Sequence, residues 1–193
     1  MTATETEDDA DFSLDLLDGA SDIDTSDTLN VSNLTLDSGD DAGITINGNN
    51  LDISPSAYNS LAAGESEVIE YSYDIIDGNG GVVAQTATIT INGVNDAPTA
   101  NDDGNVGFTT NEDTNFTTVN VLDNDTDPDT SDTLSVLSID TTGTQGTVTN
   151  NGDGTFGYAP NGQFETLAVG ETATDTFTSV SYTHLTLPTI YSV

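Results

Sequence analysis

One segment of this chain is written twice. Residues 16–31 read LLDGASDIDTSDTLNV and residues 121–136 read VLDNDTDPDTSDTLSV, with ten of the sixteen positions identical. The copies stand 105 positions apart, and the likeness continues on both sides. Leu61-Ala62-Ala63-Gly64-Glu65 returns as Leu167-Ala168-Val169-Gly170-Glu171, Tyr58 as Phe164, Tyr71 as Phe177, and Glu7-Asp8 as Glu112-Asp113. Motifs copied at nearly constant spacing mean one module used in tandem. The spacing predicts a first module over 1–97 and a second over 98–179.

Each copy carries aspartates at matched places, Asp18, Asp22, Asp24 and Asp27 against Asp123, Asp127, Asp129 and Asp132. The chain has no lysine and no arginine, and its formal net charge is −34. Its carboxylates therefore repel one another, and more strongly as ionic strength falls. Nucleic-acid binding is excluded, because that affinity comes from basic side chains. Anionic membrane surfaces are disfavoured for the same reason. Without cysteine there is neither a disulfide nor a thiolate zinc site. The counter-charge has to come from outside, and a hard divalent cation with oxygen ligands, calcium above all, is the natural source. The first residues lack the basic and apolar regions of a secretory signal, and no apolar run approaches the ~18 residues of a membrane helix. The chain is either an internal fragment of something larger, which is the expectation, or exported by a route read elsewhere, and no direct membrane insertion is expected.

Strong acidity can signal disorder, but here the apolar residues recur with period two in short runs rich in Val, Ile, Thr and Tyr. In the first module this pattern predicts strands near 11–17, 28–34, 43–46, 49–54, 67–76 and 82–93. Ile69, Tyr71, Tyr73 and Ile75 alternate with polar residues, and Val83, Ala87, Ile89 and Ile91 share a face of the next run. Asp77-Gly78-Asn79-Gly80-Gly81 between them suits a hairpin connection. No stretch has a 3.6-residue period, and LAAGE makes at most one helical turn. The fold class expected is all-β, as tandem immunoglobulin-like sandwiches.

After Phe177-Thr178 the second module leaves the pattern. Where the first continues Tyr73-Asp74-Ile75-Ile76-Asp77-Gly78, the second has Ser179-Val180-Ser181-Tyr182-Thr183-His184. Residues 180–193 contain no acidic residue and hold the only histidine, His184. This tail resembles the translation of a transposon-end sequencing adaptor. It is expected to be non-native and to leave the second sandwich truncated, without its last hairpin and with uncovered edges.

VLDNDTDPDTSDTLSV, GTVTNNGDGTFGYAP and FETLAVGETATDTFT in the second module, with EYSYDIIDGNGG and TATITINGVNDAPTA in the first, together resemble the VCBS and cadherin-like repeats of large bacterial surface adhesins. The likeness runs from about residue 5 to 179. It implies cadherin-like sandwiches strung in arrays, calcium at module junctions in several related families, export by type I secretion in RTX-type hosts, and an extracellular, non-enzymatic part in adhesion or biofilm matrix. Ser21-Asp22-Ile23 departs from the usual acidic Asp-Pro context.

Two groups of residues are candidate calcium ligands. The first is the box Asp123, Asp125, Asp127 and Asp129, whose alternating acids can wrap oxygens around an ion that takes six to eight of them. Its weaker counterpart keeps Asp22 and Asp24 but has Gly19 and Ala20 in place of Asn124 and Asp125. This is no EF-hand, since Pro128 stands at the required glycine and Leu134 at the bidentate glutamate. The other reading of the box is a solvated acidic turn. The second group lies at the junction. Asn95-Asp96-Ala97-Pro98 is similar to the cadherin linker, and the resemblance implies calcium shared by Asp96, Asp102 and Asp103, a site that Glu112 and Asp113 of the next module, or Asp74 or Asp77 of the preceding one, could complete. The other reading is a plain linker stiffened by Pro98. Asp77-Gly78-Asn79-Gly80-Gly81 is similar to one nonapeptide of a calcium β-roll, but a single copy makes a hairpin turn rather than a roll.

Catalysis finds no support in a chain without thiol, lysine or arginine, and with no tryptophan to form a sugar platform. The expected function is a calcium-stiffened spacer of an extracellular adhesin, with neighbouring repeats of the same protein as partners. The alternatives are a calcium-dependent module for surface glycans and homophilic contact between identical arrays.

Overall fold

Alternation of apolar and polar side chains decides which segments of this chain pair and which face each buries. The computed structural model describes residues 1–103 and 108–182, and the backbone of 189–192. The chain divides into two units, Met1–Asn95 and Asp96–Val193.

The first unit contains β1 (Thr2–Thr6), β2 (Phe12–Asp15), β3 (Asn30–Ser38), β4 (Ile44–Asn47), β5 (Asn50–Ile53), a 3-10 turn at Pro55–Tyr58, β6 (Ser66–Ile76) and β7 (Val82–Asn92). One sheet has the order β1-β7-β6-β3 and the other β2-β5-β4. β6 and β7 pair antiparallel without interruption from Ser66↔Asn92 to Ile76↔Val82. The core draws on both sheets: Leu51 and Ile53 from β5, Ile69, Tyr71 and Tyr73 from β6, and Ala87, Ile89 and Ile91 from β7. Three tyrosines bury their rings and send their hydroxyls to the rim. Tyr73 donates to the Leu16 carbonyl at 3.1 Å, Tyr58 to the Asp40 carbonyl at 2.8 Å and Tyr71 to Asp41 Oδ2 at 3.0 Å. Buried hydroxyls are tolerated only with such partners.

The six strands expected from the pattern are present within a few residues of their predicted bounds. Two details differ. Val83 shares its face with Ala87 and Ile89 but is 56 % exposed, because the hairpin end runs past the core. β1 has no counterpart in the prediction. It runs parallel to β7, from Thr2↔Thr88 to Thr6↔Asn92.

The second unit contains β8 (Phe116–Thr117), β9 (Ser135–Asp140), β10 (Thr147–Asn150), β11 (Phe156–Ala159), β12 (Thr178–Tyr182) and β13 (Thr189–Ser192). Its sheets are β10-β11-β8 and β13-β12-β9. Val121, Phe156 and Phe177 form the buried centre, with Val136, Ile139 and Val148 packed on it. Phe156 and Phe177 meet edge to face, with ring centroids 5.1 Å apart. Arrangements of this kind contribute about 0.5–1.5 kcal/mol beyond area burial.

The same scaffold is thus built twice. LAAGE and LAVGE form one reciprocal turn rather than helix. Glu65 N donates to the Ala62 carbonyl (2.9 Å) while Ala62 N donates to Glu65 Oε2 (3.0 Å), and Glu171 and Ala168 repeat both bonds at 2.8 and 2.9 Å. Gly64 (φ +93°) and Gly170 (φ +91°) occupy the left-handed region that the turn requires.

The units diverge at β12. Val31 pairs with Ile75 on β3–β6, and Val136 pairs with Ser181 on β9–β12. β12 therefore sets Ser179 and Ser181 where β6 sets Tyr73 and Ile75. Both serines are buried, and Ser181 Oγ finds no hydrogen-bond partner among the described residues. The expectation that this tail leaves the module without a last hairpin needs correction, because β12 pairs with β13 from Thr178↔Ser192 to Ser181↔Thr189. Backbone hydrogen bonding accepts almost any side chain, so a strand forms even where its pattern suits the core poorly. His184 lies outside the described residues. No helix among the described residues is long and apolar enough to cross a membrane.

Candidate functional site

The loop that carries the repeated aspartates follows β2 in the first unit and β8 in the second, and its backbone is folded the same way in both. Asp24 N donates to Asp22 Oδ1 at 2.8 Å and Asp27 N to the Asp24 carbonyl at 2.9 Å. The second copy has Asp129 N on Asp127 Oδ1 at 2.9 Å and Asp132 N on the Asp129 carbonyl at 3.1 Å. An aspartate that accepts the N–H two residues on fixes a turn locally. Such a turn also throws successive carboxylates to different sides.

In the second unit that divergence splits the expected box in two. Asp129 lies with Asp96, within reach of the charges of Asp127 and Asp132. Asp129 Oδ2 accepts the Asp96 N–H at 2.8 Å. The Asp129 side chain is only 1 % exposed, and its Oδ1 accepts no hydrogen bond among the described residues. Asp127 Oδ2 and Asp132 Oδ2 are likewise buried without a partner. Burial pushes the Asp129 carboxyl above the usual carboxylate range, and the charges of Asp127, Asp96 and Asp132 push it the same way. The Asp96 N–H works against this shift without cancelling it.

Asp123 and Asp125 join Asp102 and Asp103 instead. Asp125 Oδ1 accepts the Asn101 N–H at 2.8 Å, and Asn101 and Asn124 exchange side-chain bonds to each other's carbonyls. Asp103 is raised to about 6, first by burial and then by the charges of Asp125, Asp102 and Asp123. Glu112 is half-buried in the turn before β8 and joins no group of carboxylates within ligand distance among the described residues.

In the first unit Asp22 and Asp27 meet Asp77 from the β6–β7 hairpin, with carboxylate oxygens all within 4.8 Å of one another. Asp24 stands outside this group. Asp77 Oδ1 accepts the N–H groups of Asn79 (2.7 Å) and Gly81 (2.9 Å). The Asn79 N–H, helped by those of Gly81 and Gly80, holds Asp77 below the usual carboxylate range. Asp27 and Asp132 are not among the expected ligands, and Asp77 is expected at the junction rather than beside Asp22 and Asp27. The repeat itself pointed to Asp27 and Asp132, which match across the two copies, whereas only the hairpin geometry brings in Asp77.

These sites offer oxygen donors alone, at high negative charge, with no lysine or arginine in the chain to satisfy them. Buried carboxylate oxygens without partners are costly unless paired or bound to a cation. The donor set suits a hard cation and gives no purchase to soft metals. Elsewhere in the second unit an open cleft of about 390 Å³ is lined by Thr117, Thr147, Thr149, Gly157 and Tyr158, with no titratable group but the tyrosine.

Residues 95–185 match the family model of a bacterial cadherin-like domain. No curated protein matches the chain. Among solved structures, all of this chain aligns with 34 % of the human Desmocollin-1 ectodomain at 12 % identity and a TM-score of 0.42. All of it aligns with 44 % of Protocadherin Gamma B2 extracellular cadherin domains 3–6 at 12 % identity and a TM-score of 0.47. It covers 98 % of its own length and 41 % of SGBP-B from the Bacteroides ovatus mixed-linkage glucan utilization locus, solved with a mixed-linkage heptasaccharide, at 13 % identity and a TM-score of 0.30. The chain thus spans a third to under half of the length of these structures.

Proposed function

We propose that the cadherin-like sandwiches of this chain are calcium-stiffened spacers in an extracellular bacterial adhesin, joined to neighbouring repeats of the same protein. Cadherin-like domains are in general structural and adhesive modules rather than enzymes, and typically extracellular. The observation that carries the reading is the Asp129 carboxylate, buried with Oδ1 unpartnered among Asp96, Asp127 and Asp132. A chain without lysine or arginine leaves such a group to be satisfied by a cation from solution.

Asp96 and Asp129 would hold calcium in the second unit, with Asp127 and Asp132 adding negative charge nearby, and Asp22, Asp27 and Asp77 would hold it more weakly at the surface of the first. Asp102, Asp103, Asp123 and Asp125 add negative charge to the same loops. Calcium accepts many oxygens in irregular arrangements, whereas magnesium insists on a tight octahedron. Neutralising these carboxylates removes repulsion that opposes the compact state. Because Asp96 directly follows the first unit in sequence, an ion held there also orders the connecting segment.

Thermal unfolding of the whole chain with chelator, with calcium and with magnesium tests the reading. Calcium binding confined to the native state adds RT ln(1 + [L]/Kd), about 2.7 kcal/mol at a hundredfold excess over Kd. A midpoint raised by calcium and not by magnesium is expected. Equal responses to the two cations would reduce the carboxylates to a solvated acidic surface and the module to a passive spacer.

A further inference from the structure

The chain contains five Asn-Gly steps, at Asn47, Asn79, Asn92, Asn151 and Asn161. In such a step the glycine nitrogen can attack the asparagine side chain, since no Cβ hinders the approach. Four of the five side-chain amides are tied down. Asn47 Nδ2 donates to Asp52 Oδ2 (2.9 Å), Asn92 Nδ2 to the Glu5 carbonyl (3.3 Å), Asn151 Nδ2 to Thr155 Oγ1 (2.9 Å) and Asn161 Nδ2 to Thr147 Oγ1 (2.5 Å).

Asn79 differs from the rest. It is exposed at the tip of the β6–β7 hairpin, and its side chain makes no hydrogen bond among the described residues. Gly80 follows at φ +111°, with open space where a Cβ would stand. The carboxylate of Asp77 accepts the N–H groups of Asn79 and Gly81, on either side of Gly80. A proton acceptor thus lies beside the nitrogen that must lose its proton.

We propose that Asn79 is the site at which this protein is spontaneously modified, by deamidation to aspartate and isoaspartate. The Gly80 nitrogen bonds to Asn79 Cγ, the Cγ–Nδ2 bond breaks, and ammonia leaves carrying the proton that Gly80 gave up. Water then opens the cyclic imide at either carbonyl. The product carries one more negative charge beside Asp22, Asp27 and Asp77, and the isoaspartate form lengthens the backbone of the hairpin tip by a methylene. A protein that persists outside the cell, where it is not renewed, would record its age there. The Asp77 carboxylate is available to that proton in the metal-free chain, and an ion on the acidic group would compete for it.

The test is timed incubation of the full chain at mildly alkaline pH in chelator, folded and in denaturant, with peptide mapping by mass and with Asn79→Gln as control. In the folded chain the peptide containing Asn79 should convert several-fold faster than those containing the other four asparagines, and that lead should vanish in denaturant. Equal conversion at any of the four tied asparagines in the folded chain would overturn the proposal. So would a lead of Asn79 that persists unchanged in denaturant, since the hairpin geometry would then contribute nothing.

Discussion

Asp129 holds the backbone of Asp96 through Oδ2, at 2.8 Å, while its other oxygen is buried without a partner. One side chain thus has a structural half and an unsatisfied half. Asp129→Asn should separate them, since the amide oxygen can still accept the Asp96 N–H while the charge is gone. In chelator the variant is expected to melt a few degrees above the parent, and in calcium to lose the parent's gain of about 2.7 kcal/mol. Melting curves of both proteins with and without calcium check this. A variant that kept the full calcium response would move the ion away from Asp129.

Acid should act on the metal-free protein in a direction opposite to ordinary acid denaturation. Asp103 is raised to about 6, chiefly by burial, from the ordinary aspartate value of 3.8. The native state therefore binds the proton more tightly than the unfolded chain does. The resulting stability is fully present below pH 3.8 and is lost as pH rises through about 6. Asp129 shifts the same way. In chelator the melting temperature of the second unit should rise as pH falls from 7 towards 5, and Asp103→Asn should flatten that slope. Asp9, Asp52, Asp140 and Asp153, held low by hydrogen bonds from Thr6, Ser13, Thr142 and Thr155, oppose the trend only at lower pH, where they protonate.

Calcium counting should distinguish the two aspartate loops. In the first unit Asp22 and Asp27 share a group with Asp77, while Asp24 stands apart. Asp22→Asn combined with Asp27→Asn is expected to abolish the weaker class of calcium sites in a titration of the full chain, and Asp24→Asn to leave it in place. The opposite result would mean that Asp24 follows its counterpart Asp129 rather than the geometry of its own loop.

Ser181 gives a stability prediction independent of metal. Its hydroxyl is buried, without a hydrogen-bond partner among the described residues, at the place where the first unit has Ile75. Ser181→Ala removes the unsatisfied group without adding volume. It should stabilise the second unit by roughly 1 kcal/mol, or about 4–8 °C in midpoint for a domain of this size. Chemical denaturation with calcium absent would measure it.

The strands that were legible are those whose residues carry their own pattern. β6 and β7 alternate Ile and Tyr, or Ala and Ile, against polar neighbours, and period two leaves little choice. β1 was invisible because Thr2-Ala3-Thr4-Glu5-Thr6 has no apolar stripe. It is a strand because the edge of β7 offers it hydrogen bonds across more than eighty residues of sequence. The candidate site was legible in composition and not in grouping. Asp123, Asp125, Asp127 and Asp129 look like one alternating box, and only the turns decide that the first two face Asp102 and Asp103 while Asp129 meets Asp96, within reach of the charges of Asp127 and Asp132. Asp77 read as a hairpin residue, which it is, and as one that could complete the junction site. Its nearness to Asp22 and Asp27 depends on how two loops from different sheets meet.

The parallel pairing of β1 with β7 has a mechanical consequence. β1 opens the first unit and β7 closes it, and the two lie side by side in the same direction from Thr2↔Thr88 to Thr6↔Asn92. Tension on the chain pulls β1 back towards its start and β7 on towards its end. The strands are then loaded in shear along their length, so the five register pairs resist together rather than peeling apart one at a time. A module wired in this way is built to carry a load between its termini.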